Sequence, residues 1–211
     1  MTAPLRERPP ALHDRALQDL SFIRRTMEGA SSFTDVPGWG LVVTGATALG
    51  AATLASLQPS AGRWIAVWLV EAVLGTLLGG AFMLRKMRRR ATPDGAPLLS
   101  IPARKFLLGF WPAILAGAVL TFALIDPRGI WDASSVAPHA LAGLWLLLYG
   151  VGVVTAGAFS VRAVPLMGIG FMLLGAIALL VPATPGDLFL ALGFGVLQMA
   201  FGAWIARRHG G

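Results

Sequence analysis

Apolar positions along the chain gather into six long blocks, over 38–58, 64–84, 106–125, 139–158, 163–181 and 187–206, with polar residues confined to the short stretches between them. Each block is about 20 residues long and almost free of charge, the length a helix needs to cross a hydrocarbon core about 30 Å thick. None of them leaves a polar face wide enough to meet water, which predicts membrane-spanning α-helices whose backbone groups satisfy one another rather than a soluble helical core. The pattern predicts an all-α membrane protein over 36–211: six transmembrane helices arranged as three hairpins.

A different pattern precedes the first block. In "ALHDRALQDLSFIRRTMEG", Leu12, Ala16, Leu20, Ile23 and Met27 recur at helical spacing with Leu17 beside them, while Asp14, Gln18, Arg25 and Glu28 occupy the rest of the circumference. This predicts an amphipathic helix over about 11–28 within a cytoplasmic segment 1–35, lying on the membrane face and supported by one-turn pairs such as Arg15 with Asp19. Its apolar stripe calls for a cover: the membrane interface, the protein's own inner surface or another chain. Gly29 is expected to stop the helix. "SSFTDVPGWG" then forms a corner, with Phe33 in the interface, Thr34 or Asp35 offering oxygens to backbone donors, Pro37 in the first turn of the next helix and Trp39 at headgroup depth.

Composition agrees with that picture and narrows it. Hydrophobic residues make up 56% of the 211, charged residues only 13%, and the mean hydropathy is +0.72, too apolar to coat a globule in water. The absence of Cys excludes disulfides, thiolate nucleophiles and Cys-ligated metals. No apolar core follows the first basic residues directly, which argues against a cleavable signal peptide. With the N-terminus inside, 15 of the 17 Lys and Arg fall on inner segments, leaving only Arg63 and Arg128 outside. The excess of basic residues on inner loops predicts that both termini are cytoplasmic.

The densest charge run, "RKMRRR", contains Arg85, Lys86, Arg88, Arg89 and Arg90. A juxtamembrane cluster of this kind attracts anionic lipid headgroups or an acidic protein surface. Nucleic acid is not expected, because neither aromatic interleaving nor a recognisable binding fold surrounds the run. The Pro- and Gly-containing stretch that follows, to Lys105, reads as a linker.

Small residues are spaced for close helix packing at Gly75 and Gly79, at Gly152, Ala156 and Ser160, and at Ala191 and Gly195. The second, fourth and sixth blocks also end alike, in "GAFMLR", "GAFSVR" and "GAWIAR". The shared reason would be a Gly for close approach, a ring near the interface and an Arg reaching the headgroups.

Few polar groups lie at membrane depth. Glu71 is the one ionisable residue well inside a span, about 10 Å from its outer end. It shares a helical face with Trp64, Trp68, Gly75 and Gly79, so it is expected to point into the bundle. Gln198 and Tyr149 lie nearer the inner half. Thr44, Thr76, Thr121 and Thr155 are expected to bond back to their own helices. An intramembrane carboxyl handles protons or cations, or serves as a protonated structural group. No catalytic, cofactor-binding or metal-binding constellation is evident: there is no His-Glu-x-x-His and no phosphate loop, and His13, His139 and His209 fall in separate segments. The expectation is a protein without cofactor or enzymatic activity.

Three stretches, "ALQDLSFIRRTMEGASSFTDVPGWG", "WLLLYGVGVVTAGAFSVR" and "IARRHGG", resemble an uncharacterised family of bacterial six-span integral membrane proteins. That resemblance implies a multi-pass protein of the bacterial inner membrane, encoded near winged-helix regulators, and it assigns no site residue. Two functions stay open. One is a non-enzymatic accessory or regulatory membrane protein that engages a partner through the cytosolic helix, where Leu20 and Ile23 are central, and through the basic loop at 85–105. The alternative is a small transporter or channel for a proton, cation or small molecule, working through Glu71.

Overall fold

The computed structural model describes residues 17, 19–23, 27, 34, 36–90, 100–125, 138–158, 160–181 and 184–209. It is all-helical, 90% helix with no strands among the described residues. Five long helices run over Gly38–Ser56 (α1), Ala61–Arg90 (α2), Ile101–Ile125 (α3), Pro138–Gly157 (α4) and Ala163–Leu180 (α5). A sixth span starts as α6 (Gly186–Leu190), passes through a π-helical stretch (Ala191–Leu197) and ends as α7 (Gln198–His209). All six are long and apolar enough to cross a membrane, the arrangement of a multi-pass membrane protein.

The predicted spans and the helices agree closely at four of the six. The differences are at α2 and α3. α2 continues through the basic run to Arg90, and α3 begins at Ile101, five residues before the expected span. Charged residues extend an existing helix where it leaves the apolar layer, because Arg and Lys are good helix formers and their long stems lie back along the helix surface. The rest of the linker, 91–99, lies outside the described residues, as do Gly29, Phe33 and Asp35 of the expected corner. Pro37 itself sits one position earlier than expected, at the N-cap of α1, where its carbonyl accepts from Leu41 N–H at 3.0 Å. Trp39 is exposed.

α1 packs between α2 and the sixth span, and α4 packs between α3 and α5. α2 and α3 are peripheral: 11% and 17% of their spans is buried, against 39–50% for the other four. Their outward faces carry Val70, Val73 and Leu77 on α2 and Val119 and Phe122 on α3, apolar side chains that water would penalise and lipid does not. The inner core holds Phe171, Leu146, Leu190, Ile205 and Val164.

Close approach is built on glycine pairs seven residues apart. On α1 and the sixth span, a Cβ added to Gly38 would lie 2.7 Å from Gly202 O, and one added to Gly45 would lie 2.9 Å from Gly195 O. On α4 and α5, Gly150 would meet Gly168 O at 2.7 Å and Gly143 would meet Gly175 O at 3.0 Å. Two turns of helix separate the members of each set, so each pair of helices touches backbone to backbone twice along one seam.

The spacings singled out in the sequence are used unevenly. Gly152 does meet Ala113 and the Phe110 backbone of α3, but Gly79 has nothing near it and Gly75 only the Glu71 carboxyl at 3.9 Å, so the Gly75/Gly79 pair makes no close helix contact among the described residues. The three similar span endings also differ in their surroundings. Gly202 lies against Gly38 and Gly157 against Pro165, whereas Gly80 is open.

Candidate functional site: a polar seam between the first, second and sixth spans

Polar side chains that six apolar helices leave inside the bundle have to find each other, and most of them do so where α1, α2 and the sixth span meet. Thr44 and Thr47 are three residues apart on α1, so their hydroxyls sit on one face on successive turns. Thr44 is buried. Its hydroxyl proton is shared between Gly40 O at 3.1 Å and Leu41 O at 3.2 Å, and its free lone pair accepts from Gln198 Nε2 at 2.6 Å. Because the one hydroxyl proton is committed to the backbone, the Gln198 amide must turn its nitrogen toward Thr44. That fixes the other end: Gln198 is 6% exposed, and its Oε1 has no hydrogen-bond partner among the described residues. A buried amide carbonyl in this condition is uncommon and costs free energy. The residue follows directly on the π-helical stretch, a geometry enriched at functional positions.

One turn further along α1, Thr47 Oγ1 lies 2.8 Å from Glu71 Oε1 and 2.9 Å from Thr44 O. A hydroxyl has one proton, so the contact has two forms. Either Thr47 donates to an ionised Glu71, or it donates to the Thr44 carbonyl and accepts a hydrogen bond from the O–H of a neutral one. Glu71 is half-buried in the groove between α1 and α2 rather than enclosed by the bundle, because α2 is a peripheral helix. The expectation that it points inward is corrected to that extent. The other residues of its predicted face divide: Trp64 and Trp68 are buried, Gly75 and Gly79 are only half-covered.

At the end of the bundle where α2 and the sixth span begin, Asp187 accepts from both indoles, Trp64 Nε1 at 2.5 Å and Trp68 Nε1 at 3.2 Å. Trp64 stacks on Trp145 of α4 with ring centroids 5.8 Å apart and planes 5° from parallel, and Trp145 Nε1 donates to Thr121 of α3 at 2.7 Å. One carboxylate, three indoles and one hydroxyl thus tie both peripheral helices to the centre. At the opposite end, buried Lys86 donates to Val36 O at 3.0 Å and pins α2 to the start of α1.

The residues flagged in the sequence therefore separate. Glu71 and Gln198 come together through adjacent turns of α1. Tyr149 does not join them: its ring packs in an aromatic cluster with Phe110, Phe171 and Phe194 at centroid distances of 5.6, 4.7 and 4.9 Å. Of the basic run, Arg85, Arg88 and Arg89 are exposed and Lys86 turns inward, while the Arg90 side chain lies outside the described residues. Leu20 and Ile23 are helical and exposed.

Thr44, Thr76, Thr121 and Thr155 all bond back to the carbonyl four residues earlier, as anticipated, but Thr44 and Thr121 also accept from another helix. Thr47 and Asp187 were not singled out by sequence reasoning. Thr47 had a signal in its three-residue spacing from Thr44. Asp187 had none beyond its position at a span boundary, since only the fold brings two tryptophans of another helix to it.

Chemically the seam offers a carboxyl at membrane depth, hydroxyls that can pass or hold a proton, and one uncommitted amide oxygen. No group of three or more His, Cys, Asp or Glu suited to a metal ion occurs among the described residues. Among known proteins, no family model, no curated protein and no solved structure matches the chain, so its functional reading rests on this geometry.

Proposed function

We propose that the protein is a non-enzymatic, multi-pass protein of the bacterial inner membrane, both termini cytoplasmic, that acts as an accessory or regulatory subunit. Its six spans run as three hairpins, its N-terminal helix lies on the cytoplasmic surface, and it engages a protein partner through that helix and the basic segment at 85–105. The observation that carries this reading is the exposure of the helix's apolar stripe. Leu20, Ile23 and Met27, with Leu17 beside them, are 52–69% exposed against the described residues, which supports a cover from outside the chain. Burying such a stripe against a partner's groove is the usual way an amphipathic helix is recognised. The test is a pull-down from native membranes with the wild-type chain and with Leu20→Asp/Ile23→Asp. The expected result is a partner held by the first and lost by the second, with insertion of the six spans unchanged. An unchanged set of captured proteins would overturn the reading.

A second reading, transport of a proton, cation or small molecule, draws its support from Glu71 and Gln198, whose carboxyl and amide nitrogen bond to the same face of α1 while the amide oxygen of Gln198 stays uncommitted among the described residues. Against it stand the glycine-pair contacts, which leave α1 and the sixth span touching along their backbones.

A further inference from the structure

The basic run was expected to act as a whole, and the structure divides it. Residues 81, 84, 85, 88 and 89 follow the i, i+3, i+4, i+7, i+8 spacing of one helix face, whereas 86 and 87 fall on the opposite face. Lys86 and Met87 are 8% and 9% exposed and pack inward, with Lys86 held by Val36 O at 3.0 Å. The outward face is an open patch made by Ala81, Leu84, Arg85, Arg88 and Arg89 of this one helix, two apolar side chains followed by three guanidinium groups. No acid of the described residues pairs with them.

The depth of this patch follows from the length of its helix. Thirty residues of α2 span about 45 Å, more than the roughly 30 Å of hydrocarbon, so the helix end passes through a headgroup layer. Ala81 and Leu84 precede the arginines and face the acyl side. Arg85, Arg88 and Arg89 follow over about 1.5 to 7.5 Å of helix beyond Leu84, within reach of the phosphates of a layer whose hydrocarbon ends near Leu84. A guanidinium presents a planar fork of donors that matches phosphate oxygens, and three of them on adjacent turns can hold one headgroup from several sides.

We propose that this face of α2 is a binding site for an anionic phospholipid, whose phosphate is held by Arg85, Arg88 and Arg89 and whose upper acyl chain lies on Ala81 and Leu84. The occupant is a membrane lipid and not a soluble phosphate, because the apolar part of the patch is continuous with the outward face of α2 at Leu77 and Val73. Charge complementarity and position at the end of a span select it. The site differs from diffuse attraction to a negative membrane, since it uses three named arginines and leaves out Lys86 of the same run. It assigns Arg85, Arg88 and Arg89 to lipid and leaves the N-terminal helix, which carries the partner reading, untouched; its test involves no partner, so the two fail separately.

The test uses the purified full chain in detergent mixed with equal amounts of phosphatidylglycerol and phosphatidylcholine, with retained lipid counted by native mass spectrometry. Three chains are compared: wild type, Arg85→Gln/Arg88→Gln/Arg89→Gln, and Arg207→Gln/Arg208→Gln, which removes two exposed arginines from the end of α7. Wild type and the α7 variant are expected to retain phosphatidylglycerol in preference to phosphatidylcholine. The α2 variant is expected to lose that preference by a factor on the order of 100, the equivalent of about 1 kcal/mol for each basic residue facing an anionic headgroup. Should the triple variant not be recovered folded, Arg88→Gln and Arg89→Gln alone are each expected to weaken the preference about fivefold on the same scale. An equal loss in the α2 and α7 variants would overturn the proposal in favour of general basic attraction. Release of the lipid by inorganic phosphate alone would overturn it in favour of a soluble anion.

Discussion

Replacing Gln198 by Leu separates two opposed terms at the polar seam. The substitution keeps approximate side-chain volume and helical propensity and removes both ends of the amide. What is lost is the bond from Nε2 to Thr44 Oγ1 at 2.6 Å. Hydrogen bonds between membrane helices average about 0.6 kcal/mol and reach at most about 1.7. Thr44 is not orphaned by the change, because its proton remains on the Gly40 and Leu41 carbonyls. What is gained is relief of the buried Oε1, whose lack of a partner costs about 1 to 3 kcal/mol. With the average loss the balance is about 0.4 to 2.4 kcal/mol in favour of the variant, and with the largest loss it can reach about 0.7 kcal/mol against it. Gln198→Leu is therefore expected to unfold at the same or a higher temperature than wild type in detergent micelles. A buried polar group kept at a cost to stability marks a functional position, so a stabilised variant that loses the protein's biological activity would identify Gln198 as one. A loss of more than about 1 kcal/mol would refute the reasoning, because it would mean that the amide oxygen is satisfied in the folded protein.

Gly168→Ala would set a methyl 2.8 Å from Val154 N and 2.9 Å from Gly150 O, both backbone, and is expected to destabilise by about 1 to 3 kcal/mol in a thermal scan, whereas Gly79→Ala, with open space around it, is expected to be neutral or slightly stabilising. Asp187→Asn keeps an acceptor for Trp64 and Trp68 and is expected to be mild. Asp187→Ala strands two indole donors and should cost about 1 to 3 kcal/mol, visible as a shift in tryptophan fluorescence and a lower unfolding temperature. Glu71→Gln is expected to be nearly silent in stability and in flux across reconstituted vesicles, while Glu71→Leu should lose on the order of 1 kcal/mol with its Thr47 contact. Flux that vanishes in Glu71→Gln with stability intact would instead favour transport.

The number, extent and composition of the six spans were legible in the sequence, because a helix in lipid answers to one local rule: enough apolar residues in a row to cross the hydrocarbon with the backbone internally bonded. The same local rule made four threonines predictable, since each finds its first partner on its own helix four residues back. Nothing local says which spans are neighbours. Lipid is as apolar as Leu, so helices in a membrane choose each other by close fit and by polar contacts, and the fit involves residues far apart in the chain. The glycine pairs Gly38 with Gly202 and Gly150 with Gly168 are of this kind, as is the meeting of Asp187 with Trp64. The short-spaced Gly75 and Gly79, conspicuous in the sequence, touch little because α2 lies at the edge. Tertiary structure alone joined Gln198 to Thr44 beside Thr47 and Glu71, and turned Lys86 inward while leaving three arginines of the same run facing out, since which face of a helix is covered depends on the neighbours it meets.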